Sequence, residues 1–392
     1  MRIPQKQFID KYSGYLLIIL LLPITRLLGI LLKRNHLLSK PPQNLLFIKI
    51  LGLGSLITAV DSINYIRQKY PEAKLILLTE NNIAEGIKPF IRFDSIWFID
   101  SGNLFAVIKS TIKLLRHSWT LKDLWVIDLE VYSKLTTIYA LITFARNRFG
   151  FYLSPVFFRK YLNTHNVFFD QEKYLGYNYN QMAIAISGKQ ENRFEPNHAT
   201  VRKDEQLKQY IALNNTCSDL ALVRMLPEKI FVKICSWILE NTNCKLVLCG
   251  AKQNQQEINN FIDQAPEFVS QKNRIINIAG AGDFNAYYKF LQEECICMIS
   301  IDSAPLHIAK RLGIPTLSIW GPTNPNHYLK IEPYEKERHL VIYQQVACSP
   351  CIHRHETLPC HGNNLCMKNL DGGMILSKLE TLLRKINKSM NY

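Results

Sequence analysis

Residues 299–323 read ISIDSAPLHIAKRLGIPTLSIWGPT, and this order of residues predicts a strand, a tight turn, a helix and a second strand. The polar side chains gather at the turn, which is where a parallel α/β sheet binds anions. The predicted helix starts at three residues: Ser303, Ala304 and Pro305. The first turn of a helix offers unpaired N–H groups and the positive end of a dipole. With Asp302 and His307 beside it, this turn predicts a phosphate site.

Strand and helix candidates alternate in two series, one in each half of the chain. The first series has strands at 44–50, 74–79, 95–99 and 124–129 and a helix at 56–69. The second has strands at 209–214, 245–249 and 274–278 and helices at 227–240 and 285–293. Alternation of this kind predicts an α/β fold with two Rossmann-like, doubly wound domains facing each other across a cleft. A chain of 392 residues is long enough for both.

We expect four segments along the chain. They are a basic, apolar, membrane-associating segment (1–40), an N-terminal Rossmann-like domain (41–204), a C-terminal Rossmann-like domain (205–372) and a last helix that could cross back (373–392). The boundary falls late in residues 151–204, which read as irregular and rich in aromatic residues.

The run from Asp302 to Thr323 resembles glycosyltransferase family 9, whose best-known members are the bacterial lipopolysaccharide heptosyltransferases. The family pattern is Asp-Ser/Thr-Gly-x-x-His, a helix of small residues, Gly-x-Pro and a strand ending in Gly-Pro-Thr. Here Ala304 replaces the usual glycine. Further matches extend the resemblance over roughly residues 44–370. It implies the GT-B architecture, in which the acceptor binds the N-terminal half and the nucleotide sugar the C-terminal half.

A second polar run resembles the family's Asn-Pro-x-x-Ser-Asp stretch, which leads to Lys or Arg and then Trp-Pro. Four residues match it: Asn214, Thr216, Ser218 and Arg224. Short polar side chains after a strand can donate to phosphate oxygens, and Arg224 adds a fixed positive charge. The resemblance implies that this run and the turn at Ser303 hold a pyrophosphate, while Asp302 binds hydroxyls of the donor sugar. Alternatively, residues 214–218 form only turns that cap a helix.

The glycine turn after the first strand, Gly52-x-Gly54, has two interpretations. First, it is an incomplete dinucleotide fingerprint, because Ile57 occupies the position of the third glycine. An NAD-binding oxidoreductase stays an alternative only because Glu80, an acidic residue, ends the second strand. In the resembling family this acceptor-side turn is usually followed by aspartate, the proposed base. This chain has Ser55 there, and a serine does not accept a proton at neutral pH without a partner.

Two carboxylates at the end of the 124–129 strand are the candidates to replace that base. Glu130 is the first choice and Asp128 the second, and alternation along an extended segment would place both on one face. The alternative is a purely structural role, with the carboxylate satisfied by backbone N–H groups or by an arginine such as Arg146 or Arg148.

The N-terminal segment combines apolar and basic residues. The first 50 residues contain eight Lys or Arg and one acidic residue, around an apolar run at 15–32. Pro23 and Arg26 interrupt this run, so we expect an interfacial or shallowly inserted pair of helices with the following lysines and arginines on anionic lipid. A true membrane span and a helix packed on the protein are the alternatives. No cleavage site of the signal-peptide type follows the run.

The cysteines divide into two groups. Six lie in apolar or strand-like contexts typical of buried thiols, which favours a cytoplasmic protein: Cys217, Cys235, Cys244, Cys249, Cys295 and Cys297. The others form a cluster, Cys348, Cys351, Cys360 and Cys366, interspersed with His353, His355 and His361. Reduced structural thiols are favoured there, with a structural zinc ion or disulfides as alternatives, and no metal is expected in catalysis.

Together these residues predict an inverting, metal-independent glycosyltransferase of the bacterial cell envelope. It would move a sugar, with heptose as the candidate, from a nucleotide diphosphate (ADP-heptose) to a lipopolysaccharide-type or lipid-linked acceptor, and require no cofactor. It would be cytoplasmic and peripheral to the inner membrane. A net charge of +15 is compatible with nucleic acid, but no nucleic-acid-binding motif accompanies it. The alternative with the same fold is a non-catalytic protein that binds nucleotide sugars or acts as a scaffold.

Overall fold

The computed structural model describes residues 3–188, 209–218, 222–352, 354–355 and 358–390. The chain divides into two compact units, residues 1–196 and 197–392. The boundary predicted after residue 204 lies outside the described residues. Within the described ranges each unit contains a six-stranded parallel sheet, so the prediction of two doubly wound halves is confirmed.

Unit 1 has its strands in the order β3-β2-β1-β4-β5-β6. They are β1 (Asn44–Ile48), β2 (Lys74–Thr79), β3 (Ser95–Phe98), β4 (Leu124–Asp128), β5 (Asn147–Tyr152) and β6 (His165–Phe168). The two central strands, β1 and β4, are buried along their whole length, as expected for a parallel sheet covered on both faces. The strand order reverses between β1 and β4, and this topological switch point is where doubly wound sheets bind ligands.

The helices of unit 1 precede, connect or follow these parallel strands along the chain. They are α1 (Ile3–Leu31), α2 (Leu53–Lys69), α3 (Asn81–Ile87), α4 (Leu104–Trp119), α5 (Lys134–Ile142) and α6 (Leu175–Ser187). Residues 151–204 read as irregular, but their described part contains the end of β5, all of β6 and all of α6. The short edge strand β6 buries only Val167, so it has no apolar run that a pattern could reveal.

Helix α1 is continuous through Pro23, so the predicted pair of helices is wrong. A proline removes one backbone hydrogen bond, and tertiary packing here outweighs that loss. Ile18 packs with Ile138 and Leu141 of α5, and a Cβ at Gly14 would lie 2.8 Å from the Cβ of Lys134. The window from residue 14 to 31 is long and apolar enough to span a membrane, and 11% of it is buried inside the structure.

Unit 2 repeats this plan with the strand order β12-β11-β10-β7-β8-β9. The strands are β7 (Tyr210–Asn214), β8 (Lys245–Leu248), β9 (Ile275–Asn277), β10 (Cys295–Ile301), β11 (Thr316–Trp320) and β12 (His339–Tyr343). The helices are α7 (Glu228–Asn241), α8 (Gln255–Gln264), α9 (Phe284–Glu294), α10 (Ala304–Arg311), α11 (Pro325–Tyr328), α12 (Leu365–Lys368) and α13 (Gly372–Met390). The last of these, α13, packs against α7, β11 and β12 of its own unit. The switch point of this sheet lies between β7 and β10.

Candidate functional site

Both sets of predicted site residues lie at the switch point of the sheet in their own unit. In unit 2, Asn214 ends β7 while Asp302 and Ser303 follow the neighbouring strand β10. In unit 1, the glycine turn follows β1, and Glu130 comes shortly after the neighbouring strand β4. The topology therefore brings together residues that lie about 80 to 90 positions apart in the chain.

In unit 2, Asn214 connects the two predicted runs. Its buried side-chain amide donates to the hydroxyl of Ser303 at 2.8 Å and to the carbonyl of Thr216 at 3.0 Å. Its amide oxygen accepts from the hydroxyl of Thr216 at 2.9 Å. Ser303 is the N-cap residue of α10, and its hydroxyl does not cap that helix. The arrangement fixes the loop after β7 against the first turn of α10.

Asp302 is the centre of a second, charged network. Its Oδ2 atom accepts from the hydroxyl of Thr323 at 2.8 Å and from Nη1 of Arg224 at 3.3 Å. Nε2 of His307 lies 3.7 Å from Oδ1. Burial by itself would raise the pKa of Asp302, but His307, Arg224 and Thr323 lower it to about 2. The carboxylate is therefore ionised throughout the physiological range and orients Arg224.

Arg224 has capacity for a further acceptor. Its Nε atom is buried and has no hydrogen-bond partner within the described part of the chain. A buried guanidinium N–H without a partner is costly, so this atom, in a side chain paired with Asp302, is a candidate donor to an anionic group. Ser218 is exposed on the same loop, and Ala304 and Pro305 form the start of α10. These residues could together surround a diphosphate.

Two residues of this region were missed by the sequence analysis as site residues. Thr323 was read only as the end of a motif, yet it bonds to Asp302. Asn215 pins the turn that carries Arg224: its Oδ1 accepts from the backbone N–H of Leu226 at 2.7 Å and its Nδ2 donates to the Leu226 carbonyl at 3.1 Å. Asn215 could have been predicted as a turn residue, because asparagine directly after a strand commonly bonds to a nearby backbone.

In unit 1, Glu130 is held by three donors. Its Oε1 atom accepts from the backbone N–H groups of Ile50 and Leu51 at 2.9 and 2.7 Å. Its Oε2 atom lies 2.8 Å from Nζ of Lys49, and both side chains are largely buried. Lys49 is therefore the partner of this carboxylate, in place of the arginines 146 and 148 considered from the sequence. Glu130 joins the end of β1 to the end of β4.

Asp128 is still more deeply buried. It accepts from Nη2 of the buried Arg159, from the hydroxyl of Thr136 at 2.9 Å and from the backbone N–H of Glu130 at 3.0 Å. Burial raises the pKa of Asp128 to about 6, against the lowering effect of Arg159. This side chain fixes the loop after β4 and gives Glu130 its position.

The first glycine of the glycine turn in unit 1 has a left-handed backbone conformation, which residues with a side chain rarely adopt. Gly52 has φ 79° and is the N-cap residue of α2, while Gly54 is buried inside the helix. The hydroxyl of the half-buried Ser55 donates to the carbonyl of Gly52 at 2.7 Å. Ser55 therefore lies at the start of α2, shortly after Lys49 in the sequence, and its hydroxyl is bonded to its own turn.

The structure has no disulfide bond among the four described cysteines of the cluster. Cys351 and Cys366 are buried, and Cys348 and Cys360 are half-buried. Burial and the neighbouring thiols raise the pKa of Cys366 to about 11. Among the residues that the structure describes, no group of three or more His, Cys, Asp or Glu is arranged to hold a metal ion. His353 lies outside these residues, and the state of the cluster stays a prediction.

Comparison with known proteins gives a family and a fold. The sequence model of Glycosyltransferase family 9 (heptosyltransferase) matches residues 162–361, about half of the chain. A curated relative, lipooligosaccharide heptosyltransferase 2 of Campylobacter jejuni subsp. jejuni serotype O:2, is 24% identical over 139 residues. The match covers 36% of this chain and 41% of the relative, so the chain spans about two fifths of that protein's length.

Two solved structures resemble the chain over most of its length. The E. coli ADP-heptose lps heptosyltransferase II has a TM-score of 0.64 at 14% identity, covering 87% of this chain and 99% of that one. The E. coli heptosyltransferase WaaC with ADP has a TM-score of 0.62 at 11% identity, covering 86% and 99%. Likenesses at this identity show the fold alone, and that fold is the predicted GT-B arrangement of two doubly wound halves.

Proposed function

This chain belongs to glycosyltransferase family 9, and on that premise we propose that it transfers a heptose-type sugar from ADP-heptose to a lipooligosaccharide-type acceptor. The donor is taken from the ADP and ADP-heptose named for the solved relatives, and the acceptor from the name of the curated relative. Membership of this family removes the oxidoreductase alternative. We place the enzyme in the cytoplasm, peripheral to the inner membrane that carries its acceptor.

The observation that supports the proposal best is the charged network around Asp302. It holds Arg224 at the switch point of unit 2 with a buried Nε that has no acceptor among the described residues. A diphosphate oxygen would supply that acceptor, and the first turn of α10 adds backbone donors and a positive dipole end. Thr216 and Ser218 offer further hydroxyls at the same strand end. These groups would neutralise the leaving diphosphate without a metal ion.

In the proposed reaction an acceptor hydroxyl oxygen forms a bond to the anomeric carbon while the bond from that carbon to the phosphate oxygen breaks. The electron pair of the broken bond leaves with ADP, whose charge Arg224 and α10 stabilise, and attack from the opposite face inverts the anomeric centre. The hydroxyl proton passes to Glu130, which Lys49 and two backbone N–H groups hold in place.

Nucleotide binding is the first test. A panel of ADP, UDP, GDP and ADP-heptose is added to the purified protein, and the melting temperature is measured for each. Binding to the folded state must raise the melting temperature, so ADP and ADP-heptose should give the largest increases. If no nucleotide raises it, the assignment of the unit 2 site is wrong.

Substitution of Arg224 tests the same site. Lys229→Ala, a change at an exposed position of α7, serves as its matched control.

A second candidate is a protein that binds the nucleotide sugar without transferring it. Two observations favour it: Ser55 stands where the family has aspartate, and Glu130 is already paired with Lys49 at 2.8 Å. Mass spectrometry of a lipooligosaccharide acceptor after incubation with ADP-heptose distinguishes the two. A mass increase of one heptose establishes transfer, whereas binding of ADP-heptose with neither transfer nor release of ADP establishes the second candidate.

A further inference from the structure

Helix α4 exposes a stripe of large apolar side chains to solvent. Phe105 is 76% exposed and Trp119 61% exposed, and Ile108 and Ile112 lie between them on the same face. The spacing of three, four and seven residues places all four on one side of the helix. The opposite side buries Leu114 in the core of unit 1. A connecting helix with an apolar stripe on its outer face indicates an interaction surface.

Helix α1 has the same kind of outer face. Ile19, Leu20, Ile24, Leu27 and Ile30 are all exposed. The opposite stripe, from Gly14 through Ile18 to Leu21 and Leu22, packs along unit 1. Because Gly14 and Ile18 are buried against unit 1, this part of α1 lies along the surface of the unit and its outer stripe faces solvent. That orientation suits a helix in the plane of a membrane interface.

The two helices flank α5 on one side of the sheet. Leu114 of α4 shares a core cluster with Tyr139 and Ala140 of α5, and Ile18 of α1 shares another with Ile138 and Leu141 of the same helix. Their carboxyl ends also converge. Two contacts lie there: the Trp119 ring lies 5.8 Å from that of Phe144, and Arg34, just after α1, donates to the Phe144 carbonyl. Both apolar stripes thus lie on helices that pack against α5 and that approach each other at their carboxyl ends.

The charges around these stripes are positive. Lys109, Lys113 and Arg116 are exposed along α4, and residues 101–122 contain no Asp or Glu. A cavity of about 560 Å³ lies between the carboxyl ends of the two helices, and Arg34, Arg146 and Trp119 are among the residues that line it. Asp123 also lines it and pairs with Lys40 at 2.9 Å. Tryptophan beside arginine and lysine is typical of a membrane interface.

We propose that α1 and α4 together form the docking surface of this protein for a lipid bilayer with anionic headgroups. The apolar stripes would enter the boundary between headgroups and acyl chains, while Lys109, Lys113 and Arg34 contact headgroup phosphates. A protein partner would not require basic residues along α4 and just after α1, and a bilayer covers two separate stripes at once. The inference rests on the proposed function only in that the acceptor is lipid-linked.

The test is sedimentation of the full chain with vesicles of phosphatidylcholine or of an equal mixture of phosphatidylcholine and phosphatidylglycerol. Phe105→Ser/Ile112→Ser should reduce the vesicle-bound fraction at least about tenfold, because two large side chains no longer enter the bilayer. Val269→Ser is the matched control, since Val269 of unit 2 is also 76% exposed. It should bind vesicles like the unchanged chain.

A second pair of substitutions tests the charge. Lys109→Glu/Lys113→Glu should weaken binding about tenfold or more on the vesicles with phosphatidylglycerol and change it little on phosphatidylcholine alone. Lys229→Glu is the control for a charge reversal at an exposed site in unit 2. Equal binding of the Lys109/Lys113 variant and its control to the anionic vesicles would overturn the proposal.

Two further outcomes are informative. If the Phe105/Ile112 variant binds vesicles unchanged, or if it breaks up a dimer in light scattering while vesicle binding stays the same, α4 contacts a second copy or nothing, and the proposal is wrong. The ADP-induced rise in melting temperature should be the same in every variant, which shows that each is folded. A chain that binds anionic vesicles through α4 but does not bind ADP would refute the proposed function and leave the docking surface intact.

Discussion

The switch points of the two sheets have the same position in the fold, but their charged groups differ in how many hydrogen-bond partners they have. In unit 2, Asp302 orients Arg224, whose buried Nε still has no acceptor within the described ranges. In unit 1, Glu130 already accepts from Lys49 and two backbone N–H groups. Unit 2 therefore has a charged donor that could accept an anion as partner, whereas the carboxylates of unit 1 already bond to the loops that they join.

The two buried aspartates show the same contrast. The pKa of Asp302 falls to about 2 and that of Asp128 rises to about 6, although both side chains are buried. Burial raises the pKa of each aspartate, and the neighbouring groups determine whether the final pKa lies above or below the usual value. His307, Arg224 and Thr323 outweigh burial at Asp302, while Arg159 does not outweigh it at Asp128. Asp302 is therefore an ionised partner for Arg224 at the candidate donor site.

The largest expected effect tests whether unit 1 takes part in chemistry at all. Glu130→Gln removes a basic carboxylate, so the transfer rate should fall by about 100-fold or more, while the affinity for ADP stays the same. Transfer is measured by release of ADP in the presence of acceptor. Glu85→Gln, which changes an exposed glutamate of the same unit paired with Lys88, should leave the rate unchanged. An unchanged rate in Glu130→Gln would show that the base lies elsewhere.

The next effect tests the anion site of unit 2. Arg224→Ala removes a charged donor to the diphosphate and leaves Asp302 without its main cationic partner, so the Kd for ADP should rise about 10- to 100-fold. Titration calorimetry measures it, with Lys229→Ala as the control. A Kd equal to that of the unchanged chain would contradict the difference drawn between the two units, because Arg224 would then be a structural residue like Arg159.

A third prediction concerns the pH dependence of stability. The pKa of Asp302 is about 2 in the folded chain and about 3.9 in an unfolded one, so its carboxylate stabilises the folded state above pH 4. This contribution, about 2 kcal/mol, is lost as the pH falls from about 4 to about 2. Asp302→Asn should therefore lower the free energy of unfolding in urea by about that amount at pH 6, and the difference from the unchanged chain should shrink toward pH 2. A difference independent of pH would contradict the assignment.

The smallest effect is a gain. Ser55→Asp introduces the carboxylate that the family usually has after the glycine turn, so transfer should become about tenfold faster if Ser55 faces the acceptor. Because Ser55 lies in the first turn of α2, the new negative charge is favourable there and the melting temperature should not fall. Ser55→Ala should leave the rate as it is. A slower Ser55→Asp enzyme would show that Glu130 alone occupies the base position.

Much of the unit 2 site could be predicted because its residues belong to two short runs with clear patterns. The strand, turn and helix around Asp302 follow from the alternation of polar and apolar residues in residues 299–323, and the order of strands then places Asn214 beside them. The bond from Thr323 to Asp302 joins residues 21 positions apart, near the two ends of the quoted stretch. A local pattern with a known topology was sufficient for this half.

The positions of the candidate residues of unit 1 could be predicted, but their bonding partners could not. Glu130 and Asp128 lie at the strand end as predicted, yet Lys49 is 81 residues from Glu130 and nothing local indicates that the two pair. Arg159 lies in a 3₁₀ segment of a region that read as irregular, so its complete burial could not be inferred. Ion pairs between distant residues depend on packing, which hydrophobic periodicity does not encode.

The packing of α1 has a consequence for preparing this protein. An apolar N-terminal helix is commonly deleted so that the rest of the protein can be purified without detergent. Here, however, Ile18 covers Ile138, Leu141 and Leu162, so a shortened chain would expose these side chains and aggregate. Replacing outer leucines such as Leu20 and Leu27 with serine keeps the inner stripe in place. The 392-residue chain altered in this way should therefore stay in solution at higher concentrations than a truncated one.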